Sequence, residues 1–269
     1  MTPTPSTDLA AADIILVNSS AGKDSQAMLD YLVELCRTQG VSLSKMVVVH
    51  CDLGRVEWKG TRELAERQAR HYGLRFEVVA RDRDLLHQIE HERKNFPSNT
   101  ARFCTSDQKT AQVGKLITRL TDELGLNRPA RILNCLGIRA AESTARAKKE
   151  PVSVEAKTTN GKRIVTRWLP IFTWSLTQVW DRIRASGVEH HPAYDLGMSR
   201  LSCCFCVLAS KKDLRIAAEH NPELYQEYLA VEQRIGKTFS SSKKQPLSLR
   251  VIVEGDVDFQ GEQGLECGA

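Results

Sequence analysis

The sequence predicts an α/β protein built on a doubly wound, mainly parallel sheet and followed by a helical, cysteine-bearing C-terminal extension. Three observations predict this class. Ile14 to Val17 form a continuous apolar run, and beyond it Met28, Leu29, Leu32 and Leu35 recur at the spacing of one helical face. Two further apolar runs, Met46 to Val49 and Phe76 to Val79, are separated by a polar segment, Thr61 to Tyr72, with helical character. Each run is apolar throughout rather than alternating, as strands covered on both faces require.

The elements follow in order. Residues 1–13 read as a flexible polar tail, and residues 14–150 as the α/β domain. Its second cycle has a helix over Gln108 to Leu124 and a strand over Arg131 to Leu136, ending at Gly137-Ile138-Arg139. Ligands of open α/β sheets gather beyond the carboxyl ends of the strands, so this end and the first strand's end should share one crevice. Residues 151–169 read as a β-hairpin insert that shapes a substrate groove, with Val152 to Ala156 and Arg163 to Trp168 flanking the turn-forming Asn160-Gly161. Residues 170–237 form a helical, cysteine-bearing substrate region. Ser175 and Gln178 are spaced as a capping box, Val179, Trp180 and Ile183 supply a packing face, and Lys211 to His220 and Pro222 to Ile235 read as two more helices. Residues 238–269, rich in Ser, Lys, Gly and acidic residues, read as a mobile tail with a short strand at Leu249 to Val253.

Composition narrows the class. With 269 residues, 41% of them hydrophobic, the chain can bury one compact core with additions or two unequal lobes. Its 26% charged content, without a long apolar run, predicts no membrane helix. Met1 to Ala12 lacks the basic-then-apolar order of a secretory signal, so a cytoplasmic protein is expected. The net charge of +5 is compatible with nucleic acid and equally with a nucleotide enzyme.

At the junction of the first strand and helix stands Ser20-Ala21-Gly22-Lys23-Asp24-Ser25. Small residues there let backbone amides approach phosphate, and the helix behind them presents its positive end. Lys23 can neutralise phosphate charge, Ser20 and Ser25 can donate hydrogen bonds, and Asp24 can orient magnesium or the nucleotide. The string resembles the pyrophosphatase loop of the PP-loop, or adenine nucleotide α-hydrolase-like, superfamily, with Ala21 in place of the usual first glycine. His50-Cys51-Asp52-Leu53-Gly54 is similar to that superfamily's second-strand Asp-Thr-Gly element. Gly137-Ile138-Arg139 with Glu142-Ser143 is similar to its Gly-x-Arg element, so the likeness covers roughly residues 14 to 210. It implies ATP and Mg2+ as ligands, Asp52 as a metal- or substrate-orienting group and Arg139 as an anion clamp. Read without it, Asp52 can cap the following loop and Arg139 can form a structural ion pair, while Arg146 divides between phosphate contact and surface support.

Eight cysteines are many for a reducing compartment, and Cys203, Cys204 and Cys206 with Cys104 point to metal or redox chemistry. Cys36 follows a helical apolar pattern and reads as packing. Four thiolates suit an iron–sulfur cluster or a structural zinc, and a thiol-redox or inert arrangement is the third reading. His50, His190 and His191 read as packing, capping or phosphate contacts rather than metal ligands. The arrangement resembles phosphoadenosine phosphosulfate reductase-like proteins, including the DNA phosphorothioation proteins related to them. Their middle cysteine pair is replaced here by Phe103-Cys104, whereas Cys203 and Cys206 match their C-terminal Cys-x-x-Cys pair. This implies a [4Fe-4S] cluster, with Cys204 or Cys135 as fourth ligand.

Two activities follow from the resemblance. The intact Lys23-Asp24-Ser25 favours an ATP pyrophosphatase-like enzyme that adenylates an oxygen acceptor for sulfur transfer, in the manner of DNA phosphorothioation, with a cysteine desulfurase or another sulfur donor as partner. DNA contact would run through basic residues of the segment Arg131 to Arg167, among them Lys148, Lys149, Lys157, Lys162 and Arg163, directly or in a complex. The other activity is reduction of phosphoadenosine or adenosine phosphosulfate to sulfite, favoured by Glu266-Cys267-Gly268, with Cys267 as redox thiol and thioredoxin or glutathione as reductant. A non-catalytic nucleotide-binding scaffold is the third.

Overall fold

The computed structural model describes residues 6–240 and 246–256. Its centre is a six-stranded sheet of β1 (Ile14–Asn18), β2 (Met46–Asp52), β3 (Arg75–Ala80), β4 (Ala130–Cys135), β5 (Val152–Val154) and β6 (Arg163–Trp168), in the order β3-β2-β1-β4-β6-β5. Every pairing is parallel except that of β5 with β6. The principal helices are α1 (Lys23–Thr38), α2 (Thr61–His71), α3 (Ala111–Leu124), α4 (Leu176–Ser186), α5 (Lys211–His220), α6 (Pro222–Ile235) and α7 (Leu249–Glu254). This is the α/β architecture the apolar runs predict, with cysteines 203, 204 and 206 preceding the C-terminal helices.

All five residues of β1 are buried because successive side chains enter opposite layers. Ile15 and Val17 pack with Met28, Leu32, Val179 and Ile183 of α1 and α4. Ile14 and Leu16 pack with Val113, Ile117 and Leu120 of α3. A separate core joins Trp58, Phe96, Phe103, Cys204 and Phe205 to Tyr228, Phe239, Leu249 and Ile252. Burying each large apolar side chain contributes on the order of 1.5–3 kcal/mol, which is what holds this second lobe on the sheet.

Local signals hold where the chemistry is local. The capping box forms in both directions, Ser175 Oγ accepting from the Gln178 amide and Gln178 Oε1 from the Ser175 amide. The helix expected from Gln108 begins as a π-type turn over Ser106–Thr110 and becomes α-helical at Ala111. The Asn160-Gly161 turn also forms, yet β6 pairs in parallel with β4 along its whole length, so the second hairpin strand belongs to the main sheet.

One expectation is corrected: Leu249–Val253 is helical, because Ser248 caps the Val251 amide and helical spacing buries Leu249 and Ile252 together. Among the described residues at the two ends, Leu9 and Ala12 join the α1 core, and the buried Glu232 carboxylate accepts the amides of Phe239 and Leu249. Among the described residues no helix is long and apolar enough to cross a membrane.

Candidate functional site

The strand order reverses between β1 and β4, and the loop after each strand opens at that point. After β1, Ala21 takes a left-handed φ of 56° and Gly22 is extended at the start of α1. The left-handed region costs a non-glycine residue about 1–2 kcal/mol, and Ala21 is fully buried there. Ser25 ties the loop together: its hydroxyl donates to the Gly22 carbonyl at 2.9 Å and accepts from the Ser20 amide at 3.2 Å. Gly22 leaves room that a side chain would take from Ser20 Oγ and Tyr194 Oη, each 3.3 Å from where a Cβ would stand.

Gly137, just past β4, approaches α1 more closely still. A Cβ on it would lie 2.9 Å from the Asp24 carbonyl and the Ser25 nitrogen, so only glycine brings the two loops together. Arg139 then reaches Asp24, with Nε 2.6 Å from Oδ1, while Lys23 Nζ lies 2.9 Å from Oδ2. Burial pushes the Asp24 carboxyl up, but Lys23 and Arg139 outweigh it and hold the group below the ordinary carboxylate range. Glu142 accepts the Arg139 amide at 2.8 Å and pairs with Arg146. Arg146 is 4% exposed, a buried member of the site rather than surface support.

These groups surround a small cleft, about 40 Å³ in volume, lined by Ser20, Gly22, Asp24, Ser25, Gly137, Arg146, Tyr194 and Arg200, among others. Lys23 does not line it. Its ammonium is buried against Asp24 and lies 5.6 Å from the Tyr194 ring centroid. Tyr194 and Arg200 are site residues that sequence reasoning missed. The Tyr194 hydroxyl accepts the Lys23 amide at 2.9 Å and the Leu201 amide at 3.3 Å, so its oxygen holds the first turn of α1 against the chain leading to the cysteines. Burial pushes the Tyr194 phenol up, and it stays protonated at neutral pH. The only sequence cue was an aromatic residue in the loop His190-His191-Pro192-Ala193-Tyr194.

Asp52, at the end of β2, caps the following turn: Oδ1 accepts the Gly54 amide at 2.8 Å, and Oδ2 lies 3.7 Å from Arg62. It is absent from the lining of the cleft. His50, 1% exposed, donates from Nδ1 to the Ser19 carbonyl and faces Glu57 through Nε2 at 3.1 Å. Burial lowers its basicity, but the partnership with Glu57 outweighs this and raises it.

The cysteines separate into groups. Cys104, Cys203 and Cys206 line a small apolar cavity of about 30 Å³ with Phe96, Phe205 and Tyr228. Cys204 is buried beside them, its amide donating to Val56 and its thiol pushed up to about 12 by burial. Cys135 is fully buried in the α1 core with Cys36, apart from that cavity. Among the described residues no group of three or more His, Cys, Asp or Glu could hold a metal ion. Cys267 lies outside the described residues.

A mainly parallel sheet whose order turns at β1, with a small-residue loop and a helix amino terminus at that turn, together with the family match, places the chain in the PP-loop, or adenine nucleotide α-hydrolase-like, superfamily. More narrowly, the chain belongs to the phosphoadenosine phosphosulfate reductase domain family, whose model matches residues 14–209. An uncharacterized protein of Methanocaldococcus jannaschii is 26% identical over 214 residues, 80% of this chain and 40% of its own length. An uncharacterized 37.8 kDa protein of Escherichia phage 186 is 31% identical over 119 residues, 44% of this chain and 34% of its own. The chain thus spans less than half the length of these curated relatives. Among solved structures, the phosphoadenylyl-sulfate reductase of Candida auris in a phosphate complex has a TM-score of 0.43 at 16% identity, over 70% of this chain and 80% of that one. The U34-tRNA thiolase of Methanococcus maripaludis with its [4Fe-4S] cluster has a TM-score of 0.45 at 15% identity, over 86% of this chain and 72% of that one. What those proteins bind is a property of those proteins.

Proposed function

We propose that this chain is an enzyme that holds the phosphates of an adenine nucleotide over the first turn of α1 and breaks a phosphorus anhydride in the cleft beside it. The observation that carries this is the convergence of the Ser20–Ser25 loop with Gly137 and Arg139, in contact across the point where the strand order reverses. The amides at the start of α1, the hydroxyls of Ser20 and Ser25, and the cations Arg146 and Arg200 bind and orient the phosphate oxygens. Asp24 holds Lys23 and Arg139 in place.

Membership of the reductase-domain family supports a sulfonucleotide, phosphoadenosine or adenosine phosphosulfate, as substrate, with sulfite as product and thioredoxin or glutathione as reductant. The intact Lys23-Asp24-Ser25, with Asp24 held anionic between two cations, supports a second reading. In it ATP adenylates an oxygen acceptor, pyrophosphate leaves, and sulfur arrives from a desulfurase-type donor. DNA is the narrowest choice of acceptor and is supported by the basic residues around β5 and β6. Both oxygens of Asp24 are engaged by cations, so its carboxylate does not fit as a magnesium ligand. An iron–sulfur cluster does not fit the residues as placed: Cys104, Cys203 and Cys206 line one apolar cavity, but among the described residues no group of three ligands could hold a metal ion.

Incubation with sulfonucleotide plus reductant, and separately with ATP, Mg2+ and sulfur acceptors, divides the two readings by sulfite against pyrophosphate release. Failure to bind any adenine nucleotide would refute both. Iron and acid-labile sulfide after anaerobic purification test the cluster, and zinc without sulfide would exclude it.

A further inference from the structure

The phosphate cleft shares Asn18 and Ile138 with a larger cavity of about 330 Å³ against α3. Its walls are apolar at Val113, Ile117 and Leu136, and Lys109, Lys149, Lys157 and Arg167 line it against one carboxylate, Glu155. That carboxylate accepts from Asn134 Nδ2 at 2.9 Å and from Thr158 Oγ1 at 3.1 Å. The Nε of Arg167 is buried with no hydrogen-bond partner among the described residues. A buried guanidinium N–H without an acceptor is costly, and an incoming oxyanion supplies one.

The carboxylates of the adjoining cleft narrow the chemistry of that oxyanion. Asp24 is held through both oxygens, and Glu142 is engaged by Arg146 and the Arg139 amide. Asp24, held in its ionised form by two cations, is a poor acceptor for the proton of a neutral hydroxyl. A reactant that arrives already ionised needs no such base.

We propose that the larger cavity binds the second reactant, and that this reactant is a phosphate-type oxyanion held by Lys149, Lys157 and Arg167. The inference rests on the adenine-nucleotide reading, in its ATP form. The ionised oxygen's lone pair bonds to the α-phosphorus, the bond from that phosphorus to its bridging oxygen breaks, and pyrophosphate leaves with the electron pair. No proton changes hands.

The test titrates wild-type protein first with a non-hydrolysable ATP analogue, so that failure of the nucleotide reading is seen before any anion is added. The loaded protein is then titrated with inorganic phosphate, with the dinucleoside monophosphate dTpdT and with its uncharged methylphosphonate analogue. The expected result is anion binding alongside nucleotide, with the methylphosphonate at least about ten-fold weaker than dTpdT. Lys157→Gln and Arg167→Gln should each weaken the anion by about five-fold or more, with nucleotide affinity held within about two-fold. Lys157 is exposed, so its variant tests the site without risk to the fold. Tighter dTpdT than phosphate identifies a phosphodiester acceptor, and the reverse a small phosphate. Absence of anion binding, displacement of the nucleotide by the anion, equal methylphosphonate binding, or unchanged affinity in both variants would overturn the proposal.

Discussion

The cleft beside α1 and the thiol cavity lie in one chain but are built on opposite principles. In the cleft, charged groups are buried and paired: Lys23 and Arg139 with Asp24, and Arg146 with Glu142. The thiol cavity is walled by Phe96, Phe205 and Tyr228, and its sulfurs come from positions 104 and 203 to 206, a hundred residues apart in sequence. The first site depends on electrostatic balance within a short loop. The second depends on long-range apolar packing of the C-terminal helices, which brings its thiols together.

That contrast can be broken by substitution, and Asp24→Ala should do so most strongly. It leaves two cations, Lys23 at 5% and Arg139 at 5% exposure, without their shared anion. Removing one partner of a buried ion pair costs about 3–5 kcal/mol, whereas Cys203→Ala should cost about 1 kcal/mol, both read by denaturant unfolding. Equal losses would erase the distinction.

The apolar lobe should instead carry an acid sensitivity. His191 is 3% exposed, accepts the Ala193 amide at Nδ1, and is pushed down to about 4 by burial and then by His190. The unfolded imidazole gains a proton near its ordinary value while the folded one resists, so this stability is present above about pH 6.5 and lost as pH falls toward 4. The loss amounts to roughly 3 kcal/mol, and His191→Gln should flatten that part of the stability profile. An unchanged slope in the variant would place the sensitivity elsewhere.

Gly137→Ala should cost about 1–3 kcal/mol and weaken nucleotide binding, because its methyl would meet the α1 backbone. The smallest effect belongs to Tyr194→Phe, about 1 kcal/mol, since water in the cleft can take over the Lys23 amide. A thermal shift beyond that of Gly137→Ala would show that water does not replace the hydroxyl at the Lys23 and Leu201 amides.

Legibility in the sequence followed the range of each interaction. The place of the Ser20–Ser25 loop between β1 and α1 was readable because an apolar run gives way there to helical spacing, and α5 and α6 were readable to their end residues from local periodicity. The α7 segment misled because Val251, Ile252 and Val253 favour strands, while the cap at Ser248 and the packing of Leu249 and Ile252 decide for a helix. Arg146 looked like surface support because its partner Glu142 and the closed cleft around it exist only after folding. Tyr194 was hidden for the same reason, since its partner Lys23 lies 171 positions away.

One phenolic oxygen therefore couples two workplaces. Leu201 stands two residues before Cys203, and the oxygen that receives its amide also receives that of Lys23. Any displacement of the strand of chain carrying the sulfurs pulls on the amino end of α1 through a single atom, so occupancy at one place and geometry at the other are mechanically linked.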